Sequence, residues 1–526
     1  MSDEQEPEET GNEEETPEAE TVEAVEQGEI KDEYTVKADG VPAHVQILDT
    51  DSEYVLNYMV ERPEIHTATE AVLKDLKEQV VKGVKLSTEE FVDSKALKEV
   101  KEKFRKEAME RLDEELPETN DQTKHILIGN LIHEMLGLGD VELLLNDQHL
   151  EEIVINGSDE PAWVYHKKHG WLKTDIEFEG EDQIYNYASE IGRRVGKNIS
   201  SLHPLLDAHL ASGDRTNATL YPISTQGNTI TIRKFARDPW TITDFIQNGT
   251  ISREVAAFLW LCIQYELNIL VSGGTGAGKT SLLNVLMPFI PPNQRVLSIE
   301  DTREVSLPEF LHWVPLTTRE PNPEGKGGVS MLDLLVNALR MRPDRILVGE
   351  IRRKRQAEVL FEAMHTGHSV YSTLHADTAE QTVRRLVNPP IDVPKTMVDA
   401  VDVNVVMFRD RRRNFRRAME VAEISENEEE EIEANLIYEW DSRDDVIEKK
   451  SESHAIYDTL KLHTGMSKEE IDSNIEDKKA ILEWMENHGI DQVDDVGKVI
   501  AEYYDNPQKI VELVKNDGSP EEVVRD

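Results

Sequence analysis

Residues 267–287, LNILVSGGTGAGKTSLLNVLM, decide the fold of this chain. Residues 267–271 are apolar except for Asn268 and predict a buried strand, and residues 281–287 continue as an amphipathic helix. Between them, residues 273–280 match the phosphate-binding pattern G-x-x-x-x-G-K-[ST], and a strand–loop–helix context is what that motif requires. The residues predicted to bind a nucleotide are Gly273, Gly274, Thr275, Gly276, Ala277, Gly278, Lys279, Thr280 and Ser281.

The chemistry of this loop follows from its residue types. Glycines let backbone N–H groups turn inward onto phosphate oxygens, at a helix N-terminus whose dipole favours anions. The Lys279 ammonium can reach the β- and γ-phosphates, and the Thr280 hydroxyl is placed to ligate Mg²⁺. The sequence therefore predicts that ATP and Mg²⁺ bind here.

Strands and helices alternate from residue 250 to residue 425. Repeated β–α units predict an α/β fold, with helices packed on a parallel sheet and the ligand at the carboxyl ends of the strands. The predicted strands after the phosphate loop are 295–299, 345–348 and 369–373, and the predicted helices are 253–264, 331–340 and 357–366.

Three segments precede this core. Residues 1–33 carry fifteen Asp or Glu against Lys31 alone, a composition that predicts a disordered acidic tail. Residues 34–115 combine strand-like segments with charged helices. Residues 116–245 mix helices with β-rich stretches, including a hairpin at 163–173, and predict an α+β domain.

The segment after the core is expected to be mainly helical. Residues 426–433 are acidic and predict a linker, and residues 434–526 predict a small helical extension without chemistry of its own. Ser467 and Glu470 have the S-x-x-E spacing of a capping box at a helix start. A further helix is expected at 495–504.

The charge of the chain limits its partners. The chain has 58 basic and 105 acidic residues, a formal net charge of −47. Such a charge opposes binding to nucleic acid or anionic lipid. Proteins that work in very high salt are often acidic throughout, because screening removes the self-repulsion. We therefore expect a halophilic source, and in that case net charge says little about partners.

Cysteine usage and apolar runs indicate the compartment. The single cysteine, Cys262, cannot form an intrachain disulfide, which fits a reducing cytosol. The acidic N-terminus does not have the basic and apolar regions of a signal peptide. Because Gln264, Glu266 and Asn268 interrupt the most apolar window, residues 255–271, no stretch of about eighteen apolar residues is present. We expect a cytoplasmic protein whose association with the inner face of the membrane is peripheral.

Three further segments place polar residues at predicted strand ends. Glu300 ends the first strand. Glu350 ends the second, where the residue before it is Gly rather than the Asp of most phosphate-loop enzymes. His375 follows the third, and in a parallel sheet all three lie at the same edge as the phosphate loop. The segments are SIEDTR at 298–303, RILVGE at 345–350 and TGHSVYSTLHAD at 366–377.

This ordered set of segments resembles the archaeal type II/type IV secretion system ATPase family, the motor ATPases of pilus and archaellum assembly. The resemblance covers residues 120–424 strongly and the rest weakly. It implies a RecA-like ATPase core with a parallel central sheet, an α+β N-terminal domain and a small helical C-terminal extension. Further residues that carry it are SGDRTN at 212–217, TIRKF at 231–235, IEDT at 299–302, MRPDR at 341–345, YEWD at 438–441 and TGMS at 464–467.

The resemblance also implies roles for residues of the core. Glu300 and Glu350 are the general base and the carboxylate that positions water or metal, and the sequence does not divide these two roles between them. Thr280 and Glu350 are the expected metal contacts, Glu350 through the water shell. His375 senses or contacts the γ-phosphate.

Residues of the preceding domain complete the implied site. Arg215 and Arg233 are expected to bring positive charge to the transferring phosphate, within the chain or across a subunit boundary, because arginine stays charged and binds phosphate in a forked geometry. Arg215 could instead pair with Asp207 or Asp214. The resemblance implies a homo-oligomeric, hexameric ring that works with a polytopic membrane platform protein and acts indirectly on pilin-like subunits. It does not distinguish pilus extension, archaellum assembly and protein export.

Alternatives remain for the chain and for two of its clusters. A nucleic-acid translocase or helicase could share the core fold, although the acidic surface disfavours it, and a nucleotide-gated scaffold with little turnover is the third hypothesis. His365 and His368 form an H-x-x-H pair with His375 downstream, but no carboxylate or cysteine lies at the spacing that a zinc hydrolase uses, so metal ligation is not favoured. A basic cluster at a predicted hairpin turn fits either a nucleic-acid patch or a contact with acidic subunit or partner surfaces. It consists of Arg409, Arg411, Arg412, Arg413, Arg416 and Arg417.

Overall fold

Two nine-stranded sheets organise the described part of the chain. The computed structural model describes residues 28–50, 53–63, 69, 72–73, 76–77, 94–210, 212–235, 239–321, 325–427 and 431–524. The first sheet is built from residues before the predicted core, and the second contains the phosphate loop. Side chains from each sheet and its helices form separate apolar clusters.

The N-terminal sheet has the strand order β1-β2-β3-β6-β5-β4-β9-β8-β7. All neighbouring strands are antiparallel except β3 and β6. The strands are β1 Glu29–Ala38, β2 Val41–Asp49, β3 Asn57–Glu61, β4 Leu150–Ile155, β5 Trp163–His166, β6 Gly170–Thr174, β7 Leu205–His209, β8 Arg215–Thr219 and β9 Thr229–Arg233. The helices of this region are α1 Ser94–Glu115, α2 Asp121–Leu136, α3 Val141–Asn146 and α4 Glu181–Arg194.

The start of this sheet corrects one prediction. Residues 29–33 were expected in a disordered tail, but they form the beginning of β1, which pairs with β2 over its length. The physical reason lies farther along the strand, where Val36 and Ala38 enter the core on alternate positions. Lys31 pairs with Glu29 at 2.9 Å and with Asp49 at 3.2 Å. The rest of the predicted tail, residues 1–27, lies outside the described residues.

One sheet joins the regions 34–115 and 116–245. Strand β3 pairs with β6 in register Asn57 to Lys173 and Tyr58 to Thr174. The Tyr58 hydroxyl also donates to the buried carboxylate of Asp147 at 2.6 Å. The regions 34–115 and 116–245, which the sequence predicts as separate, therefore share one set of strands and one core.

The second sheet has the order β12-β11-β13-β14-β10-β15-β16-β17-β18. The strands from β12 to β15 are parallel, as predicted, and β15 to β18 continue as an antiparallel meander. They are β10 Ile269–Gly273, β11 Val296–Glu300, β12 Trp313–Thr317, β13 Arg345–Glu350, β14 Ser369–Leu374, β15 Val403–Asp410, β16 Phe415–Glu426, β17 Ile432–Asp441 and β18 Val446–Lys449. The helices are α5 Ile242–Gln247, α6 Arg253–Gln264, α7 Lys279–Leu286, α8 Met331–Ala338, α9 Lys354–His365, α10 Ala379–Val387 and α11 Lys395–Val398.

Helices cover both faces of the parallel part of this sheet. In β10, Ile269 and Val271 pack into the cluster that contains α6 and α7, whereas Leu270 packs into the cluster that contains α8 and α9. A strand buried on both faces must be apolar at successive positions, and every residue of β10 is buried. This arrangement explains why the strand reads as a continuous apolar run.

The C-terminal region corrects a second prediction. The acidic stretch 426–433 is not simply a linker, because β16 extends to Glu426 and β17 begins at Ile432. The extension expected to be helical therefore starts with two strands, in which Ile437 and Tyr438 pack on the core. Its helices are α12 Ala455–Thr464, α13 Lys468–Asn487, α14 Val493–Asp505 and α15 Pro507–Lys515.

The C-terminal helices pack against α6 of the core. The predicted capping box starts α13, where the Ser467 hydroxyl accepts from the Glu470 N–H at 3.3 Å and the Glu470 carboxylate accepts from the Ser467 N–H at 2.7 Å. The Trp260 indole of α6 donates to the Tyr504 hydroxyl at 2.9 Å and stacks on Phe289 with ring centroids 5.0 Å apart. Across the described ranges, no helix combines the length and apolarity needed to cross a membrane.

Candidate active site

The phosphate loop connects β10 to α7 and depends on three glycines with positive φ. Gly273, Gly276 and Gly278 have φ values of 147°, 70° and 92°. A Cβ on Gly273 would lie 2.4 Å from the carbonyl oxygen of Met407, so this position also excludes a side chain by contact. Helix α7 begins at Lys279, directly after the last of these glycines. The backbone thus turns in the way that phosphate binding at a helix N-terminus requires.

Lys279 lies across the loop that precedes it. Its ammonium donates to the carbonyl oxygens of Gly273 at 3.1 Å and Gly274 at 2.9 Å. Burial lowers the pKa of Lys279, and the nearby carboxylates of Glu350 and Asp377 act in the opposite direction. The ammonium is therefore held by two carbonyl oxygens of the loop, in the electrostatic field of two carboxylates.

His375 follows β14 and contacts the same loop. Its Nδ1 lies 2.9 Å from the Gly273 carbonyl oxygen, and its Nε2 lies 3.4 Å from the Thr275 hydroxyl. His375 and Asp377 also line a cleft of about 420 Å³ together with Arg384 and Arg385 of α10. The histidine predicted at the nucleotide therefore lies beside the residues predicted to hold its phosphates.

Glu350 ends β13, and its charge acts on Lys279 by raising the pKa of that lysine. Its carboxylate accepts from Nε and Nη2 of Arg352 at 3.0 and 2.8 Å, and Arg352 also lies 3.6 Å from Asp301. The preceding Gly349 leaves room beside Glu300, since a Cβ there would lie 3.8 Å from the Glu300 Cα. Glu350 is therefore a partly exposed, cation-paired carboxylate at the phosphate side of the sheet.

Glu300 ends the neighbouring strand β11 and has a different environment. It is 4% exposed, and its Oε1 accepts from the backbone N–H groups of Glu304 at 2.9 Å and Val305 at 3.0 Å. Its Oε2 is buried and finds no donor among the described residues. Burial raises the pKa of Glu300 to about 7, while the two N–H groups partly oppose that shift. This carboxyl is directed into the loop that follows its own strand.

Comparison with known proteins identifies the family. A family model described as type II/IV secretion system protein matches residues 140–435, more than half of the chain. An uncharacterized protein of Methanocaldococcus jannaschii is 36% identical over 399 residues, which is 74% of this chain and 71% of that protein. The chain belongs to the type II/IV secretion system ATPase family. The family predicted from the sequence is therefore confirmed.

Other relatives of the family match shorter parts of the chain. The type IV secretion system protein PtlH of Bordetella pertussis is 31% identical over 300 residues, 51% of this chain and 87% of that protein. Among solved structures, the VirB11 ATPase of the Brucella suis type IV secretion system is 26% identical, covers 53% of this chain and 90% of its own, and has a TM-score of 0.28. The pilus retraction motor PilT with bound ADP is 18% identical over 63% of this chain and 88% of its own, with a TM-score of 0.38.

In this family member, Arg215 and Arg233 lie side by side on β8 and β9, as directly paired residues. Arg215 donates to both carboxylate oxygens of Asp207, at 3.2 and 2.9 Å, which is one of the two pairings that the sequence left open. Arg233 lies 3.4 Å from Glu304, in the loop that follows Glu300. Two cations opposite each other on neighbouring strands repel, so this arrangement favours an anion between or beside them.

Arg233 contacts the loop that follows β11, whereas Arg215 pairs with Asp207 of β7. Arg233 reaches that loop through Glu304, and His209, at the end of β7, lies 3.2 Å from the Thr302 hydroxyl. Lys197 adds a third contact, 2.8 Å from Glu320. The N-terminal sheet of the chain thus touches its own ATPase core along the segment that follows β11.

The residues that could hold a metal ion are Thr280 and Glu350. Thr280 is the second residue of α7, and Glu350 acts electrostatically on Lys279, the residue before it. Hydroxyl and carboxylate oxygens suit Mg²⁺, which takes few protein ligands and keeps several waters. Throughout the ranges that the structure describes, no group of three or more His, Cys, Asp or Glu side chains is arranged to hold a metal ion by itself. The donor set therefore fits a magnesium ion that enters with the phosphates.

The site includes two arginines whose place sequence reasoning did not assign. Arg409 and Arg416, from the basic cluster, lie against Gly276 of the phosphate loop. Arg417 of the same cluster is buried and forms two hydrogen bonds of 2.7 Å with Asp445. The available signal was the position of the cluster at the end of β15, because β15 is the parallel neighbour of β10.

Proposed function

We propose that this protein is a motor ATPase that hydrolyses Mg-ATP to drive assembly or secretion of type IV pilus- or archaellum-like subunits. The observation that carries the proposal is the convergence of Lys279 and His375 on the phosphate loop, with the charge of Glu350 acting on the lysine. A cation, a hydrogen-bonding imidazole and a carboxylate at one strand edge are the groups that phosphoryl transfer to water uses.

Glu350, rather than Glu300, is the carboxylate that orients or deprotonates the attacking water in this proposal. Its charge acts on Lys279, whose ammonium would contact the terminal phosphates. Glu300 is buried, and one of its oxygens already accepts two backbone N–H groups. A general base must reach the proton that it removes, and Glu350 meets that condition better.

Thr280 and Glu350 would hold the magnesium ion, Glu350 through its water shell. The ion would supply positive charge to the β- and γ-phosphate oxygens. Lys279 would bind the same phosphates as a point charge. His375 would contact the γ-phosphate through Nε2, the ring nitrogen that lies beside the Thr275 hydroxyl. These residues lie at or directly after the ends of three strands, β10, β13 and β14, so a small change in strand packing would change the alignment of the site.

The proposed working form is a homo-oligomer, a hexameric ring. Arg215 and Arg233 are 47% and 66% exposed as side chains, so both can reach phosphate bound to a neighbouring subunit. A head-to-tail interface that places arginines of one subunit at the site of the next must close into a ring or continue as a filament. The ring would act on a polytopic membrane platform protein from the cytoplasmic side, and a relative carries the name type IV secretion system protein.

Nucleic-acid translocation is the weaker proposal for this fold. The net charge of −47 opposes contact with phosphodiester chains. Three of the six clustered arginines are directed to partners within the chain, at Gly276, Tyr165 and Asp445. We therefore assign these three arginines, Arg409, Arg416 and Arg417, to contacts within the chain rather than to a nucleic-acid surface.

The deciding experiment is a turnover assay of the full chain in multimolar KCl with Mg²⁺ and vesicles of archaeal-type lipids. We expect Mg²⁺-dependent ATP hydrolysis that Lys279→Ala abolishes, while Arg411→Gln, a substitution of an exposed arginine, leaves it unchanged. Absence of Mg²⁺-dependent hydrolysis under these conditions would overturn the proposal. Stimulation by DNA or RNA, without stimulation by membranes, would move the protein to the translocase class.

A further inference from the structure

Two arginines lie on the outer side of the phosphate loop. The Nε of Arg416 donates to the Gly276 carbonyl oxygen at 3.2 Å. A Cβ on Gly276 would lie 2.7 Å from Nη1 of Arg409, and a Cβ on Gly278 would lie 3.2 Å from Cδ of Arg416. The glycines of the loop therefore leave space for these arginines as well as for the phosphate-binding turn.

Arg409 and Arg416 also face each other across the hairpin of β15 and β16, where they form a directly paired position. Two cations opposite each other on neighbouring strands are destabilising unless acceptors or anions offset the repulsion. The Nε of Arg409 is buried and finds no acceptor in the described part of the chain. Such an arrangement costs free energy in the folded chain and points to a role at the loop.

The contact continues from Arg409 into the N-terminal sheet. Nη2 of Arg409 donates to the Tyr165 hydroxyl at 2.7 Å, and that hydroxyl lies 3.2 Å from the Asn414 side-chain oxygen in the hairpin turn. Tyr165 lies in β5, where its ring packs edge-on against Trp171 with centroids 5.3 Å apart. One chain of contacts thus runs from Gly276 through Arg409 to the N-terminal sheet.

We propose that Arg409 and Arg416 are positioning residues for the nucleotide, and that Tyr165 connects them to the N-terminal sheet. The Gly276 carbonyl belongs to the same peptide group as the Ala277 N–H, a donor of the phosphate loop. A cation bound to that carbonyl polarises the peptide and strengthens the N–H as a donor to phosphate. This inference rests on the proposed function, in which the loop binds a nucleoside di- or triphosphate.

The first test compares arginines of the same hairpin. Arg416→Gln removes the contact with Gly276, and Arg411→Gln removes an equal charge from an exposed position on the turn. We expect the dissociation constant for ADP, measured by calorimetry on the full chain, to rise about fivefold for Arg416→Gln and less than about twofold for Arg411→Gln. Arg416→Lys, which keeps a cation, should recover part of the loss.

Measurements at high salt distinguish the effect of a direct hydrogen bond on ADP binding from a general effect of positive charge. Screening in 2–3 M KCl should remove the effect of Arg411→Gln and leave most of the effect of Arg416→Gln, because the latter acts through a direct hydrogen bond. Equal effects of the two substitutions at high salt would overturn the positioning role. Thermal midpoints without nucleotide check folding, since a variant that is only less stable changes the active fraction and not the dissociation constant.

The second test is a double-substitution cycle on Arg409→Gln and Tyr165→Phe. Tyr165→Phe removes only the hydroxyl that accepts from Arg409, so it should weaken ADP binding about threefold in the unsubstituted chain and hardly at all in the Arg409→Gln background. Additive effects would overturn the connection to the N-terminal sheet. If the unsubstituted chain does not bind ADP, the proposed function itself has failed. If it binds ADP and all variants have the same dissociation constant as the unsubstituted chain, only this inference is overturned.

Discussion

Lys279 and His375 share a single acceptor, the carbonyl oxygen of Gly273. The Lys279 ammonium lies 3.1 Å from this oxygen and His375 Nδ1 lies 2.9 Å from it. Because a carbonyl oxygen only accepts, Nδ1 of His375 carries a hydrogen, and a hydrogen bond from Nε2, the nitrogen directed toward Thr275, to a phosphate oxygen requires a second hydrogen on Nε2. The loop, the lysine and the histidine therefore form one hydrogen-bonded unit.

This shared acceptor predicts that Lys279 and His375 differ in what they contribute. Lys279→Ala should weaken ATP binding about a hundredfold, because it removes the cation inside the loop. His375→Ala should lower kcat about tenfold and change ADP affinity by less than about threefold, because it removes a hydrogen bond at the terminal phosphate. Calorimetry and steady-state kinetics separate the two, with the exposed His365→Ala as the control. An equal loss of ADP affinity in both variants would contradict this division.

The environments of the two glutamates predict different losses of turnover. Glu350→Gln should reduce kcat by about 10²–10⁴ and leave ATP binding within about threefold, because it removes the carboxylate at the attacking water. Glu300→Gln keeps a side-chain oxygen for the N–H groups of residues 304 and 305, and kcat should fall about tenfold or less. Single-turnover kinetics with Mg-ATP measure both. The reverse order would make Glu300 the base.

The buried Glu300 predicts a pH dependence of stability. Burial raises its pKa from 4.5 to about 7, so between these values the folded protein holds a proton that the unfolded chain has lost. The stabilisation is therefore fully present below pH 4.5 and is lost as pH rises through 7, a change on the order of 3 kcal/mol. Denaturant unfolding from pH 4.5 to 8 should show a flatter profile for Glu300→Gln than for the unsubstituted chain. Glu309→Gln, at an exposed carboxylate, should not alter the profile, and an unchanged profile in Glu300→Gln would contradict the prediction.

The buried Lys478 should make the stability of the folded chain depend on pH with the opposite sign. This lysine of α13 is completely buried. Its ammonium lies 5.2 Å from the ring centre of Trp260 and 4.7 Å from that of Tyr503. Burial lowers the pKa of Lys478 from 10.5 to about 7. Between these values the unfolded chain binds the extra proton, so stability should rise with pH over this range. Lys478→Met should remove the rise and stabilise the chain at pH 7. The control is Lys479→Met at the half-exposed neighbour, and a persisting rise in Lys478→Met would count against the assignment.

A mixing experiment tests whether the N-terminal arginines act between subunits. An Arg233→Gln chain keeps Lys279, and a Lys279→Ala chain keeps Arg233, so each is expected to be inactive alone. If Arg233 serves a neighbour, about a quarter of the interfaces in an equimolar random ring contain both residues, and activity should return to that fraction. Activity that stays at the level of the separate variants would place the action of Arg233 within its own chain, where it now pairs with Glu304.

Much of the core could be predicted because its signals are local. The loop glycines, Lys279 and the apolar strand before them lie in one short segment, and the strand ends at Glu300, Glu350 and His375 follow from apolar runs. Predictions based on charge alone were less reliable. Residues 29–33 and the stretch 426–433 read as disordered tail and linker, yet residues 29–33 lie in β1, Glu426 ends β16 and Ile432 begins β17, because one face of an antiparallel strand tolerates charge.

By itself, the sequence determined the phosphate loop, the parallel core and the set of polar residues at its strand ends, since each depends on neighbours along the chain. Only the tertiary structure decided that the charge of Glu350 acts on Lys279 while Glu300 is buried, and that Arg409 and Arg416 lie against Gly276. The physical reason is sheet order: β15 lies beside β10 although more than a hundred residues separate them, and burial depends on such neighbours in space.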